Sequence, residues 1–396
     1  MEPALRLLLE FFSYMSLLVI GVLFSETINL PPPNPNHNVV NSSKVIGWND
    51  HKPIAPEHFI VSKFADGLRN SRWIYSAPDG SVFLAESQAS RITRFHKGKQ
   101  EIFLSGLNLP FGMFILDKWF YVANSNALWR YPYKNLLAKT EPNGQKIIDL
   151  PNGGNHWTRN IIANVKGDKI YIAVGSSSNI GEYGIKREDH RANILEINPD
   201  GTGVRIYASG LRNPVGLGWA PGTDTLWTVV NERDNLGDDL VPDFLTEVKE
   251  NGFYGWPYFY WGPNADPRIK APQPELAKKS LVPSVSLGTH VAPLGLAFYQ
   301  NTKGSNAFPS KYQNGAFIGQ HGSWNRSTLT GYKVAFVPFK NGKASGPPED
   351  FLTGFIADST KSEVYGRPVG VAVLSDGSLL VADDASNILW KVTYKK

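Results

Sequence analysis

The stretch GLRNPVGLGWAPGTDTLWTVVNE, residues 210–232, contains two short apolar runs separated by a Pro-Gly turn. Both runs are rich in Val, Leu and Trp, and the second stops at polar residues, which is typical of two paired β-strands. A related stretch, GRPVGVAVLSDGSLLVADD, occupies residues 366–384. Two such hairpins this far apart indicate an internal repeat, and the repeat decides the fold.

Six segments repeat the second half of this pattern: GSVFLAES (80–87), KWFYVANS (118–125), DKIYIAVGS (168–176), DTLWTVVNE (224–232), NGAFIGQH (314–321) and GSLLVADD (377–384). Four of them follow a shared preamble that we interpret as an incoming strand, and a third strand often comes after. Several antiparallel strands per unit, six times over, predict an all-β, six-bladed β-propeller. Periodicity of the helical kind is nearly absent.

The ring of a propeller has to close between its first and last units. The segment EHFIVSKFADG (57–67) precedes the first unit and is strand-like, so we expect it to pair with the last sheet. Residues 53–396 are then one propeller domain with loop insertions, the longest gap between preambles lying between 232 and 291. The Pro- and Asn-rich residues 26–52 are predicted to be a linker.

All six segments end at polar side chains. If their strands share one register, these side chains gather near one mouth of the central tunnel: Glu86, Asn124, Ser176, Glu232, Gln320, His321, Asp383 and Asp384. The alternative is that each is polar simply because its strand leaves the core at that point.

The first 25 residues carry an apolar run from Phe11 to Phe24. Such a run is short for a transmembrane helix and is typical of a signal peptide. We therefore expect residues 1–25 to direct secretion and the mature chain to have no membrane span; an uncleaved membrane anchor is the alternative.

Composition excludes several classes of function. The chain has no cysteine, which rules out cysteine–zinc, iron–sulfur and thiol chemistry. Its net charge of +5 comes without a Lys/Arg run, so no nucleic-acid partner is expected, whereas a small anionic ligand fits. Phosphate-binding Gly loops, G-x-S-x-G and H-E-x-x-H are also absent from the sequence.

A histidine stands out in GGNHWTRN (153–160), where His156 follows two glycines and precedes two predicted strands. A neutral imidazole at the tunnel mouth can take a proton from a hydroxyl at physiological pH. The alternative is a loop histidine with its hydrogen bonds satisfied.

Three arginines lie near comparable positions of three repeats: Arg212, Arg326 and Arg367. They can converge in space, and guanidinium groups suit carboxylates and polarised carbonyl oxygens; ordinary surface arginines are the alternative. The letters GLRN occur at 67–70 as well as at 210–213. We expect Arg69 to be structural and Arg212 to face a ligand.

Two further stretches suggest ligand binding. VNERDNLGDDLVPDF (230–244) is acidic and irregular, which suits calcium, although the spacing is not that of an EF-hand and a solvated loop is the alternative. GFYGWPYFYWGP (252–263) is dense in aromatic residues that either pack together or wall a pocket for a flat ligand or a sugar ring.

These motifs resemble those of the soluble, pyrroloquinoline-quinone-dependent aldose dehydrogenases, most closely their sorbosone-dehydrogenase and fungal pyranose-dehydrogenase branch. The matching pieces include GGNHWTRN, GSSSNIGE (175–182), the run 209–244, HGSWNRSTLTGYKV (321–334) and the run 366–384, in the right order over about 67–392. The family fold is a six-bladed propeller. The resemblance therefore implies a quinoprotein that oxidises a sugar at the anomeric carbon.

By this resemblance, His156 removes the proton of the anomeric hydroxyl while hydride passes to the quinone. Arg212 hydrogen-bonds the quinone oxygen as it gains charge, with support from Asn213. Arg326 and Arg367 hold the carboxylates of the cofactor. The sequence has no haem-binding C-x-x-C-H motif, so electrons leave to an external acceptor.

The resemblance also implies an active-site calcium, bound by the backbone carbonyls of Arg233 and Asp234. Ser176 stands where better-known relatives place an aspartate that orients the histidine, so either Ser176 does this more weakly or Glu86 or Glu232 replaces it. The cofactor-binding lysine has no counterpart, and His321 or Arg326 is the candidate to stand in.

Two sequons complete the picture. Asn41 lies in the predicted linker and is a plausible glycan site, whereas a glycan on Asn325 would block the mouth beside Arg326. We therefore expect Asn325 to stay unmodified.

Two other functions remain open at this level. A calcium-dependent, lactonase-type propeller hydrolase would hold its metal with side chains such as Glu86, Asn124, Glu232 and Asp383. A non-catalytic, glycan-binding propeller would explain the aromatic residues but would leave His156 without a role.

Overall fold

The computed structural model describes residues 28–133, 143–270, 273–300 and 302–395. The predicted signal segment, residues 1–25, lies outside the described residues. Within the described ranges, no helix is both long and apolar enough to span a membrane.

Nearly all of the regular secondary structure in the described residues is β-strand. The first half contains β1 (Lys44–Val45), β2 (Phe59–Ala65), β3 (Ser71–Ser76), β4 (Val82–Glu86), β5 (Arg91–His96), β6 (Lys99–Ser105), β7 (Met113–Leu116), β8 (Trp119–Ala123), β9 (Ala127–Pro132), β10 (Gln145–Asp149), β11 (Arg159–Ala163), β12 (Ile170–Val174), β13 (Asn193–Ile197) and β14 (Arg205–Ser209).

The second half continues the pattern and includes the one α-helix of the described ranges. Its elements are β15 (Asn213–Trp219), β16 (Leu226–Asn231), β17 (Pro242–Glu247), β18 (Phe259–Tyr260), β19 (Asn264–Ala265), α1 (Pro274–Ala277), β20 (Val285–Thr289), β21 (Pro293–Gln300), β22 (Asn314–Gln320), β23 (Lys333–Lys340), β24 (Lys343–Ala344), β25 (Glu349–Leu352), β26 (Ile356–Asp358), β27 (Glu363–Val364), β28 (Pro368–Val373), β29 (Leu379–Asp383) and β30 (Ile388–Tyr394).

Most strands belong to four- or five-stranded antiparallel sheets, ordered β3–β6, β7–β10, β11–β14, β15-β16-β17-β20, β21–β25 and β28-β29-β30-β2. In each sheet the first strand pairs with the repeated segment that follows it, including the four sheets in which the shared preamble predicted an incoming strand. The fold is all-β, as predicted, and its succession of four-stranded sheets is that of a β-propeller. The longest insertion, between β17 and β20, carries β18, β19 and α1.

The first strand of each sheet lies at an edge and contacts the first strands of its neighbours, and β28 contacts β3 across the chain ends. Close approach depends on glycines in these strands. A Cβ on Gly295 would lie 2.2 Å from the Val369 carbonyl oxygen, and one on Gly370 would lie 2.4 Å from that of Arg72. Glycine at these positions lets neighbouring backbones meet.

Closure occurs as expected, because β2 pairs antiparallel with β30 in a register that places Phe59 opposite Tyr394. The hydrophobic core lies between neighbouring sheets. One cluster, for example, joins Phe114 of β7 to Ile161 of β11 and Ile172 of β12. Burying each such side chain stabilises the fold by about 1.5–3 kcal/mol.

The N-terminal strap, residues 28–48, lies on the sheets, which differs from a free linker. Its strand β1 pairs in parallel with β27, and Trp48 is buried with its indole N–H donating to Asp383 at 2.7 Å. Asn41 donates from Nδ2 to the Ser327 carbonyl at 2.9 Å. The strap therefore bridges loops of several sheets.

Candidate active site

A cavity of about 360 Å³ lies where the second strands end and the first strands begin. Its volume is in the range of small-molecule sites. Its lining includes guanidinium and imidazole groups from several sheets: Arg72, Arg212, Arg367, His156, His290 and His321. The sequence had predicted that Arg212, Arg367 and His156 converge here, and the structure brings them together.

His156 precedes β11, and its Nδ1 lies 2.9 Å from the Ser176 carbonyl and 3.0 Å from the Ser176 hydroxyl oxygen. A carbonyl only accepts, so Nδ1 carries the hydrogen and Nε2 is left as the acceptor of the neutral ring. The Ser176 hydroxyl donates to the Ser178 carbonyl at 2.6 Å, which leaves its lone pairs for His156. Of the sequence-level alternatives for orienting His156, the geometry supports Ser176.

The electrostatics keep this imidazole neutral. Burial, together with the positive charge of Arg212, lowers the pKa of His156 to about 3. Packing is equally close, since a Cβ on Gly175 would lie 2.6 Å from the His156 Cβ and 2.3 Å from Asn213 Oδ1. Gly175 thus allows His156 and Asn213 to sit side by side.

Arg212 is buried and held by five hydrogen bonds. Its donors reach the Glu232 carbonyl at 2.6 Å, the side chain of Asn179 at 2.9 Å and Asp234 Oδ2 at 2.9 Å. The Arg212 charge helps to lower the pKa of Asp234 although burial acts the other way. This network fixes the guanidinium plane beside His156.

On the opposite side, the guanidinium of Arg367 donates to the His321 carbonyl at 2.9 Å and to the Gly322 carbonyl at 3.0 Å. His321 Nε2 lies 2.8 Å from Asp384 Oδ1, and Arg72 Nη1 lies 2.5 Å from Asp384 Oδ2. Burial and the charge of Arg367 lower the pKa of His321 to about 4. Asp384 therefore supplies the negative charge that contacts both His321 and Arg72.

Two acids and a histidine close the remaining wall. Asp243 accepts the backbone N–H of Glu232 at 2.7 Å and of Ala292 at 2.8 Å, and burial raises its pKa to about 7. His290 Nδ1 lies 3.6 Å from Asp234 Oδ1. Burial lowers the pKa of His290, but the hydrogen bond and charge of Asp234 outweigh it, so the net shift is upward.

Several buried polar atoms of the lining lack a protein partner: Arg72 Nε, Asn213 Oδ1 and Glu232 Oε1. Buried polar groups are normally hydrogen-bonded, so atoms of this kind beside a cavity are typical of a ligand site. Arg72 Nε in particular keeps an N–H without a protein partner next to this cavity.

A family model described as TrAA12-like matches residues 56–251 and 267–395. The chain belongs to the TrAA12-like family. An uncharacterized protein of Borreliella burgdorferi is 31% identical over 360 residues, covering 86% of this chain and 90% of that protein.

A pyrroloquinoline quinone-dependent pyranose dehydrogenase of Coprinopsis cinerea is 25% identical over a match that covers 67% of this chain but 43% of that protein. The chain thus spans under half the length of that curated relative. The holo form of the PQQ domain of a Coprinopsis cinerea pyranose dehydrogenase shares the fold, with a TM-score of 0.74, 19% identity and coverage of 86% and 97% of the two chains. The family resemblance drawn from the motifs is confirmed.

The calcium site predicted at the backbone carbonyls of Arg233 and Asp234 stays a prediction, and one of the two carbonyls already has partners within the protein. The Asp234 carbonyl accepts Arg268 Nη1 at 2.7 Å and Asn179 Nδ2 at 3.2 Å. A carbonyl that already binds a guanidinium is a poor partner for a second cation. Arg233 is fully buried, with its guanidinium bound to Glu232 and to loop carbonyls.

Within the described ranges, no group of three or more His, Cys, Asp or Glu residues is arranged to hold a metal. Of the four side chains proposed for a lactonase-type metal, Glu232 lines the cavity, whereas Glu86 pairs with Arg91 and Asp383 binds Trp48. Asn124 does not line the cavity either, so the four side chains are not gathered there as a ligand set.

Arg326 is the one predicted cofactor arginine that the cavity lining leaves out. It donates to the Asp238 carbonyl at 2.7 Å and pairs with Asp239 at 2.9 Å. Its role at the cofactor therefore stays a prediction, whereas Trp324, two residues earlier in the same loop, does line the cavity. Of the two candidates for the missing lysine, His321 is the one that lines the cavity.

The second sequon is closed by its own contacts. Asn325 Nδ2 donates to the Val39 carbonyl at 2.7 Å and to Asn235 Oδ1 at 2.9 Å. Glycans attach at this nitrogen, so we expect Asn325 to be unmodified in folded protein. Peptide mapping that found Asn325 glycosylated in active protein would contradict this arrangement.

Sequence reasoning missed Arg72, Asp243 and His290. Arg72 lies within the incoming strand β3, where the repeat made it look structural, while Arg69 of the shared GLRN letters is exposed. The aromatic stretch 252–263 packs in the core and does not line the cavity, so the aromatic lining comes from Trp157 and Trp324 instead.

Proposed function

We propose that this TrAA12-like protein is a quinoprotein that oxidises a pyranose or another aldose at its anomeric carbon, with pyrroloquinoline quinone as its cofactor. We also propose that its sheets form the six blades of one propeller. The observation that carries the proposal is the cavity itself. It combines a histidine whose Nε2 is free to accept a proton with three guanidinium groups that suit a polyanionic cofactor.

The residues present fit the cofactor. Arg72, Arg212 and Arg367 come from different sheets and surround one volume, which suits a rigid ring that bears several carboxylates. When bound, pyrroloquinoline quinone supplies a hydride acceptor. Bulk water is kept away from much of this site, because Arg72 and Arg212 are both buried.

His156 acts as the general base of the proposed reaction. Its Nε2 takes the proton of the hydroxyl on the carbon that is oxidised, while Ser176 holds the ring through Nδ1. The nearby Asp234 carboxylate favours the protonated form of His156, against the opposing charge of Arg212. Burial and the charge of Arg212 outweigh Asp234, so His156 does not keep its proton, which suits repeated turnover.

Arg212 supplies fixed positive charge. Because its hydrogen bonds to loop carbonyls and to Asp234 hold it in place, it does not need to reorganise as negative charge develops on a nearby ligand oxygen. We propose that Asn213, beside it at the start of β15, makes a second contact to the same ligand.

We also propose a cellular setting. The apolar run from Phe11 to Phe24 favours secretion, with a membrane anchor as the alternative, and we propose that electrons pass to an external acceptor. No step is assigned to calcium; the family resemblance implies that the carbonyls of Arg233 and Asp234 would hold it, and that of Asp234 already accepts from Arg268.

The test adds pyrroloquinoline quinone to purified apoprotein. Absorbance titration should show saturable binding, and a panel of aldoses should then reduce an artificial dye. A protein that neither binds the cofactor nor reduces the dye with any sugar would contradict the proposal. A non-catalytic glycan-binding propeller would bind sugars without dye reduction.

A further inference from the structure

Trp324 is unusual among the tryptophans of the described ranges. It is 44% exposed, whereas the others are buried or half-buried. It also lines the cavity, together with the buried arginines. Its ring therefore keeps accessible surface at the cavity that a ligand can cover.

The backbone around Trp324 is held firmly. Its carbonyl accepts the Asn41 N–H of the N-terminal strap at 2.7 Å. The Tyr332 hydroxyl donates to the Ser323 carbonyl at 2.7 Å, and Asn325 donates to the Val39 carbonyl at 2.7 Å. Residues on both sides of Trp324 are therefore tied to other elements, and the ring projects from a fixed base.

The exposure of the lining residues indicates where each of the two ligands, the anionic cofactor and the sugar, lies in the cavity. Arg72 and Arg212 are 7% and 5% exposed, so an anionic ligand that pairs with them lies deep. Trp324 lies at the solvent end of the cavity, where the sugar has to enter. An aromatic face there offers a neutral, apolar surface that matches the C–H face of a sugar ring better than it matches a carboxylate.

We propose that Trp324 is the platform on which the sugar ring stacks, and that it helps to select pyranoses as the substrate class. The proposal rests on the function proposed above. It gives the N-terminal strap a positioning role, because the strap binds the backbone of Trp324 directly.

The test compares Trp324→Ala, Trp324→Phe and the wild type in two assays. One measures kcat and KM for the best aldose with saturating cofactor, and the other measures sugar binding to the protein by saturation-transfer NMR. We expect Trp324→Ala to raise KM about tenfold, because about one stacking interaction is lost. The kcat of this variant should stay within about twofold of the wild type. Trp324→Phe should recover most of the affinity.

Tyr183→Ala is the matched control, because Tyr183 is 57% exposed and lies outside the cavity lining. It should leave KM and sugar binding unchanged. Cofactor affinity, measured by absorbance titration, should be the same in all variants within about twofold.

An unchanged KM and unchanged sugar binding in Trp324→Ala would overturn the proposal. A loss of cofactor affinity with unchanged KM would also overturn it, since Trp324 would then contact the quinone. If the proposed function itself fails, the result is distinguishable from these outcomes, because the wild type would then not bind the cofactor. The NMR assay still decides on Trp324 in that case, because it does not require turnover.

Discussion

His156 and His321 line the same cavity and are both partly buried, yet they have different partners. His156 Nδ1 meets the carbonyl and hydroxyl of Ser176, which are neutral, whereas His321 Nε2 meets the carboxylate of Asp384. Burial is the main reason that the pKa of each is low, about 3 for His156 and about 4 for His321.

The difference separates two uses of one side chain. A neutral partner orients His156 without holding it in the protonated form, so its Nε2 can take up a proton and give it back. His321 belongs to an ion-paired group in which Asp384 also binds Arg72. We infer that the first histidine works on substrate protons and the second holds the shape and charge of the cofactor side.

The largest expected difference is in turnover. His156→Ala should lower kcat by about 10²- to 10⁴-fold, the usual contribution of a general base, because no other acceptor has the same orientation. Cofactor affinity should change little. His321→Ala should weaken cofactor binding and lower kcat by less than about tenfold.

Dye-reduction kinetics and absorbance titration measure both effects, and His156→Gln controls for lost volume. Equal losses of kcat in the two alanine variants, with cofactor still bound, would erase the distinction between the histidines.

The next effect is on stability. Asp384→Asn removes the anion beside Arg72 and leaves a buried guanidinium without its partner, so the free energy of unfolding should fall by about 3–5 kcal/mol. Ser176→Ala removes only a hydroxyl and keeps the carbonyl bond to His156, so it should cost about 1 kcal/mol. Chemical denaturation measures both; equal losses would mean that the two histidines are held alike.

A smaller effect concerns pH. With the pKa of His156 near 3, His156 is neutral at pH 5–8, and kcat/KM of the wild type should not fall there through protonation of this ring. Ser176→Asp would place a carboxylate at Nδ1 and raise that pKa, so the acidic limb should move upward by about one pH unit or more. A limb that stays in place would show that the partner of Nδ1 does not set the basicity of His156.

The smallest expected effect is that of metal removal. Arg268 already donates to the Asp234 carbonyl on the His156 side, so a chelator should leave cofactor affinity unchanged within about twofold. The measurement is absorbance titration with and without chelator, repeated after calcium is added back. Cofactor binding that disappears with chelator and returns with calcium would restore the metal site implied by the family resemblance.

The repeat was readable from sequence because strand pairs with shared turns leave a local signature. Segments such as 168–176 contain the observed strand Ile170–Val174, and the pairing of β2 with β30 followed from the need to close the ring. His156 and Arg212 were found because they lie in motifs next to these strands.

The sequence did not show which of several candidate side chains reach the cavity, and the reason is physical. Arg326 and Trp324 are two residues apart, and the sequence alone does not show which of them turns toward the cavity. Glu86 and Glu232 both lie at the end of a strand, but Glu86 forms an ion pair with Arg91 of the next strand in its own sheet. Such choices depend on long-range partners, which a repeat pattern does not specify.

The closure of the ring has a practical consequence. Because Phe59 lies opposite Tyr394 in an antiparallel pair, a short hairpin turn could connect the two directly. New chain ends could then be opened in an outer loop, giving a circularly permuted protein that keeps every sheet but lacks residues 28–58. Such a permutant would separate the stability of the ring from the contribution of the N-terminal strap to substrate recognition.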